Sequence, residues 1–309
     1  MDPIYIALIV LSVLLVLGIM IYLILMYLFF VKILVRPKEK NKKKNEHKEV
    51  SEELLRRRKE FESYKKEEVE ITSFDGLKLR GYFIPNQIQN KVIILCHGYH
   101  SSAFHETTNG YNYYDLGYSL LCIDQRAHGR SEGKYIGMGI LERKDVLYWI
   151  KFILNKCGED TSIILEGVSM GASTVMMASE LVDSKNVKGI IADCGYTTVR
   201  DEFKHLISPH FAKLNMFVFG LYMKIFAKYS MDDASAVKSL SNSFIPLLLI
   251  HGGQDDFVPT KFSKRIFGVA NSKTKDILIV EGARHAESYR VAPLVYDDKV
   301  RHFLNTIKF

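Results

Sequence analysis

The sequence predicts a three-layer α/β domain with a mostly parallel sheet of about eight strands and a helical cap, preceded by one N-terminal transmembrane helix. Three observations predict it. The residues from Ile4 to Val31 form an apolar run of 28 without a charge. From Val69 onward, short apolar runs alternate with longer helix-like stretches. A Gly-x-Ser-x-Gly segment stands directly between one of those runs and a helix-like stretch.

The chain has 309 residues and a net charge of +7, with 25% charged and 48% hydrophobic residues. That composition excludes a wholly disordered chain, a collagen-like repeat and a disulfide scaffold. The charge is concentrated. Lys32 to Lys48 holds eight basic and two acidic residues, and the remainder nearly balances. The basic character therefore belongs to a short stretch beside the apolar run, not to a nucleic-acid-binding face.

As a helix, the 28 apolar residues would be about 42 Å long. A bilayer core is roughly 30 Å thick, so residues 1–35 are expected to form a membrane anchor. A signal peptide would have a basic start and a shorter apolar stretch before small residues. Here the chain starts Met1-Asp2-Pro3 and no such site follows. Lys and Arg lie only on the C-terminal flank of the run, which puts the N-terminus outside and the large domain in the cytoplasm, at the cell membrane. The basic cluster is either a solvated linker or a contact for anionic headgroups.

Residues 36–68 divide into this basic linker and a charged helix over 49–68. Glu52/Arg56, Glu53/Arg57 and Glu62/Lys66 stand four apart there, with a thin stripe of Val50, Leu54, Phe61 and Tyr64. The α/β domain is expected over 69–309. Val69–Phe74 and Leu77–Ile84 flank Asp75-Gly76, a hairpin signal. The strand candidates after it are Lys91–Cys96, Tyr118–Ile123, Ser162–Glu166, Val187–Ala192, Pro246–Ile250 and Asp276–Val280. Their apolar cores suit parallel strands covered on both faces. The long connection from Cys194 to Phe244 contains the Phe- and Met-rich segment Phe211–Tyr229, expected to be a cap spanning about 199–244. Cys96, Cys122, Cys157 and Cys194 are widely spaced and read as small hydrophobes rather than a metal site.

The chemistry lies in the loops. Gly167-Val168-Ser169-Met170-Gly171 occupies a strand-to-helix turn, where two glycines permit a tight bend that exposes a serine hydroxyl. A serine needs a base, and the base needs an orienting acid. His251-Gly-Gly-Gln-Asp255-Asp256 follows one strand candidate and Gly282-Ala-Arg-His285 follows the next. Ser169, Asp255 and His285 are thus the candidate nucleophile, acid and base, with Asp256 the alternative acid. The backbone N–H groups of Met170 and of Tyr99, in His97-Gly98-Tyr99, are candidate oxyanion donors. His97, His100, His105 and Glu106 lack a metal-ligand spacing, so no metal is expected.

The motifs HGYH, DQRAHGRSEG, GVSMGA, HGGQDDFVP and GARH, spread over about 190 residues, resemble the α/β-hydrolases, in particular the bacterial serine esterase and S33-peptidase-like group. The resemblance implies the Ser…Asp…His order, and it places the acid at Asp255. It also implies an acyl-enzyme mechanism without metal or organic cofactor. One departure stands out: Ala127 replaces the glycine of the family's DxRGxGxS segment, so the family's shape for that loop is not carried over. The implied activity is cleavage of a carboxylic ester, with a small hydrophobic acyl substrate favoured by the cap and the anchor. A peptidase, a thioesterase and a catalytically silent membrane-tethered binding protein are the alternatives. No acidic group for a substrate amine is identifiable in the sequence, and the oligomeric state is not legible in it.

Overall fold

A computed structural model describes residues 2–37, 52–103, 110–183, 185–206 and 212–309. The chain opens with α1 (Pro3–Leu34), whose first turn is capped by the Asp2 carboxylate accepting from the Ile4 N–H at 2.9 Å. After α2 (Glu52–Ser63), eight strands form one sheet: β1 (Glu67–Thr72), β2 (Lys78–Ile84), β3 (Ile88–Cys96), β4 (Tyr118–Ile123), β5 (Ser162–Val168), β6 (Val187–Asp193), β7 (Leu247–Gly252) and β8 (Lys275–Val280). Their spatial order is β1-β2-β4-β3-β5-β6-β7-β8. The β1–β2 hairpin and the β2–β4 pair are antiparallel, and all remaining pairs are parallel.

Both faces of the sheet are covered, which is why its strands are apolar throughout. Val92, Ile94, Leu121, Ile163 and Leu165 pack on one side, with α4 (Glu142–Cys157) and α5 (Met170–Ala178). Ile93, Leu95, Leu120 and Ile164 pack on the other, with Phe61 of α2, α3 (Gly110–Asp115) and α11 (Pro293–Thr306). Two further helices, α9 (Lys261–Val269) and the single turn α10 (Ser288–Val291), complete the C-terminal half.

The charged helix expected over 49–68 is shorter: α2 covers Glu52–Ser63, Tyr64 and Lys66 follow its end, and Glu67 and Glu68 already belong to β1. Val50, the basic linker from residue 38 onward, His105, Glu106 and Phe211 lie outside the described residues. Arg57 pairs with Glu60 at 3.3 Å and with Asp115 of α3, so it fastens the helix to the domain.

Between β6 and β7 lie α6 (Val199–Leu206), α7 (Ala212–Tyr222), a π-helical turn (Met223–Ala227) and α8 (Ala236–Ser241). The last third of α1 packs against α7. Met26, Phe30 and Leu34, spaced by four, are buried along one stripe of α1, and Phe30 lies edge-on to Phe219. The Tyr22 hydroxyl donates to Asn215 Oδ1 and the Tyr222 hydroxyl to the Leu23 carbonyl, both at 2.9 Å. Beyond the helix Val35 bridges to Tyr135, and Arg36 donates to the Gly129 and Ser131 carbonyls at 2.6 Å.

Arg126 ties the hairpin turn to the core. Its guanidinium reaches both oxygens of Asp145 on α4 at 2.7 Å and those of Asp75 at 2.8 and 3.1 Å, while itself 2% exposed. Arg126→Met would leave the buried Asp145 uncompensated and should cost about 3–5 kcal/mol, read as a lowered denaturation midpoint.

Glu166 of β5 is also buried, and burial pushes its carboxyl up to about 8, opposed by Tyr113 and reinforced by Asp193. The folded state therefore keeps a proton that the unfolded chain has released, and stability falls as pH rises from the ordinary carboxyl range toward 8. Glu166→Gln removes that loss. Its stability advantage over wild type should grow between pH 5 and pH 9 by on the order of a few kcal/mol, measured as thermal midpoints in detergent.

Candidate active site

Parallel strands end together, so the loops after β3, β5, β7 and β8 gather at one sheet edge. Ser169 sits between β5 and α5 at φ 56°, ψ −117°, a conformation that costs a non-glycine residue about 1–3 kcal/mol. The flanking glycines explain how the turn is accommodated. A Cβ on Gly167 would lie 2.3 Å from the Gly171 carbonyl carbon, and one on Gly171 would lie 2.0 Å from the Cys96 carbonyl oxygen. The Ser169 N–H donates to the Asp193 carbonyl at 2.8 Å, which pins the turn to the neighbouring strand.

His285, in the loop after β8, has Nε2 2.8 Å from Ser169 Oγ and Nδ1 2.7 Å from Asp255 Oδ2. This fixes the tautomer, with Nδ1–H donating to the carboxylate and Nε2 accepting the serine hydroxyl. Asp255 Oδ1 accepts from the N–H groups of Phe257 and Val258 at 3.0 and 2.8 Å. Burial pushes the Asp255 carboxyl up, but hydrogen bonds from His251 and His285 outweigh it and hold the group well below the usual carboxylate range. Asp256 is exposed, and its carbonyl oxygen lies 2.8 Å from His205 Nε2 on α6. Between the two candidate acids, then, Asp255 is the one against His285.

Tyr99 lies in the loop after β3 and Met170 is the first residue of α5, where helix N–H groups have no partner within the helix. That loop is braced on several sides. His97 Nε2 accepts from the Gln125 N–H at 3.0 Å, and Gln125 Nε2 donates to the His97 carbonyl at 2.6 Å. His128 Nε2 accepts from the His100 N–H at 3.1 Å; burial and the neighbouring His97 hold this imidazole neutral, down to about 3. The Tyr99 hydroxyl donates to the Ile33 carbonyl near the end of α1 at 2.6 Å. Ala127 adopts φ 59°, so the loop keeps a left-handed residue at this position despite the missing glycine.

Three side chains beside the triad were given no role in the site by the sequence. His251 Nε2 lies 3.2 Å from Asp255 Oδ2, a second imidazole on that carboxylate; its only signal was the histidine four residues earlier. Glu202 of α6 is buried, and burial together with Asp255 pushes its carboxyl up to about 8. The donor atoms of Cys194, Asp255 and His285 lie within 4.8 Å of one another. They do not make a good metal site, because Asp255 and His285 are engaged with each other and burial holds the Cys194 thiol protonated. Cys96 and Cys122 are likewise buried.

The mixed eight-stranded sheet with a serine on the turn after β5 defines an α/β-hydrolase. The family model described as serine aminopeptidase, S33, matches residues 87–243, just over half of the chain. The protein belongs to this family. It is 25% identical to the protein YqkD of Bacillus subtilis over 250 residues, which cover 80% of this chain and 82% of that one. It is also 25% identical to the protein YfhR of Escherichia coli K12 over 241 residues, 72% of this chain and 78% of the other. Among solved structures it is similar to the esterase Pf2001 of Pyrococcus furiosus, with a TM-score of 0.65, 25% identity, and coverage of 80% of this chain and 94% of that one. Family and neighbours together make the chain a hydrolase.

Proposed function

We propose that the protein is a membrane-anchored serine hydrolase that cleaves carboxylic esters of hydrophobic acyl groups through an acyl-enzyme on Ser169. The observation that carries this reading is the continuous chain from Ser169 Oγ through His285 to Asp255, at 2.8 and 2.7 Å. Ser169 Oγ attacks the ester carbonyl and its proton passes to His285 Nε2. The N–H groups of Tyr99 and Met170 hold the oxyanion. His285 then protonates the departing alkoxide, and a water molecule, deprotonated by the same imidazole, releases the acid. Asp255 keeps the imidazole oriented and stabilises its charged form. No step calls for a metal or organic cofactor.

The hydrophobic substrate class rests on α1, which is long and apolar enough to cross a membrane, and on the apolar helices of the insertion, which act as the cap. The basic flank after α1 favours a cytoplasmic catalytic domain, and protease added to intact cells should then spare a C-terminal tag.

A second reading, amide cleavage beside a free amine, is favoured by the family's description and by Glu202, whose Oε2 has no hydrogen-bond partner among the described residues. In the unliganded protein, however, that carboxyl stays neutral up to about pH 8, which suits an ester better than a cationic substrate.

The test is fluorophosphonate labelling of the full chain in detergent, read by intact mass, beside Ser169→Ala and followed by turnover of nitrophenyl esters and aminoacyl nitroanilides. One adduct on wild type, none on the variant and preference for the ester support the proposal. Preference for the nitroanilide selects the peptidase reading. A folded wild type that takes no label in detergent or in vesicles would leave a binding protein on a hydrolase fold.

A further inference from the structure

One face of α1 passes from exposed to buried along its length. Residues Ile4–Ile21 are exposed, a span of about 27 Å that nearly matches a bilayer core of roughly 30 Å. On one face burial then begins at Tyr22 and deepens through Met26 and Phe30 to Leu34, while Leu23, Ile24, Leu25 and Leu28 on the other face stay exposed. The element that covers α1 from Tyr22 onward is α7, held by the Tyr22–Asn215 and Tyr222–Leu23 hydrogen bonds and by the rings of Tyr27, Tyr222 and Phe226. So α7 lies at the level where α1 has just used the length a membrane needs.

The rest of α7 and the π-helical turn that continues it are arranged accordingly. One flank, Asn215, Phe219 and Tyr222, meets α1. The next stripe, Leu214, Phe217, Leu221 and Ile225, is exposed to solvent, with Phe217 70% exposed. Beyond it come the exposed side chains of Lys213 and Lys224. They border a groove of about 450 Å³ between α6 and α7, lined by Met216 and Phe217 and by Arg200 and Lys204. An apolar stripe next to a basic flank is the pattern of a helix lying in a membrane interface.

We propose that this stripe seats the catalytic domain on the bilayer that α1 crosses. Leu214, Phe217, Leu221 and Ile225 enter the boundary between headgroups and acyl chains, and Lys204, Lys213 and Lys224 meet anionic headgroups. The proposal rests on α1 being a membrane anchor. It goes beyond anchoring, because an anchored domain could equally stand off the surface. Seated this way, α1 and the insertion over the sheet edge present one continuous apolar surface to the lipid.

The full chain is reconstituted in vesicles of phosphatidylcholine and phosphatidylglycerol brominated near the carbonyl end of the acyl chains. Phe217→Trp is compared with Phe244→Trp, an equally exposed aromatic at the opposite end of the sheet, just before β7. Trp149, fully buried in the core, supplies a constant background. The expected result is that bromine quenches the added fluorescence of Phe217→Trp and leaves that of Phe244→Trp intact, with the quenching weakened when Lys213 and Lys224 are both changed to Glu. Equal signals from the two variants, with the protein still in the vesicle pellet after an alkaline wash, overturn the seating and leave the anchor standing. Release of the protein by the wash overturns both.

Discussion

His285→Ala should lower kcat for a short nitrophenyl ester by about 10⁶-fold, and the Ser169→Ala/His285→Ala pair should do no worse than either change alone. In the proposed mechanism the two side chains, 2.8 Å apart, act on one proton, so removing either would end the same event. The fold should tolerate the loss. His285 is half-buried in a surface loop, and the turn at Ser169 is held by Gly167, Gly171 and the Asp193 carbonyl rather than by the imidazole. A melting midpoint close to wild type beside a vanished kcat is the combination to look for. An additive double variant would mean that the two residues serve separate steps.

Asp255→Asn should lower kcat by about 10⁴-fold, whereas Asp256→Asn should leave it nearly unchanged. An amide in place of the carboxylate turns a donor toward His285 Nδ1, so the imidazole takes the other tautomer and presents N–H rather than a lone pair to the serine. A cost in stability accompanies this one. The Asp255 carboxyl is held below its usual range in the folded protein, so it stabilises the fold above that range, and the contribution is lost as pH falls through the depressed value. The variant should therefore lose stability at neutral pH and approach wild type in strong acid, as denaturant midpoints would show. His251 makes the loss larger than one contact would suggest, because it too faces this carboxylate.

The sheet was legible because parallel strands buried on both faces leave unbroken apolar runs, and every strand candidate corresponds to a strand. The site was legible to the extent that chain chemistry declares itself. Glycines at 167 and 171 announce a turn that no side chain would fit, and a histidine and an aspartate stand just past two strands. The partners of the bracing residues were not legible. Gln125 and His128 stand in the DQRAHGRSEG motif and His251 at the end of β7 opens HGGQDDFVP, but their contacts are made across 28 residues or through a short loop, and the motifs do not name the group each one meets. The docking of α1 was hidden for a different reason. Lipid and protein core both select apolar side chains, so Met26 and Phe30, inside the domain, look the same in sequence as Leu14 and Leu15, outside it. The lysine-rich stretch drew attention as the joint between anchor and domain, but Val35 and Arg36 are fastened to the domain before its run of lysines begins.

That fastening removes any slack between α1 and the sheet. A tether of about thirty flexible residues would let a catalytic domain sample a hemisphere of solution and return to the lipid only part of the time. Here the helix runs directly into the fold, and its Ile33 carbonyl is hydrogen-bonded to the loop beside Ser169. With α1 spanning the bilayer as proposed, the height of the serine above the lipid would be a constant of the molecule. Its encounters would then be set by lateral diffusion in a plane, and a substrate dissolved in water would first have to partition into that plane to meet it.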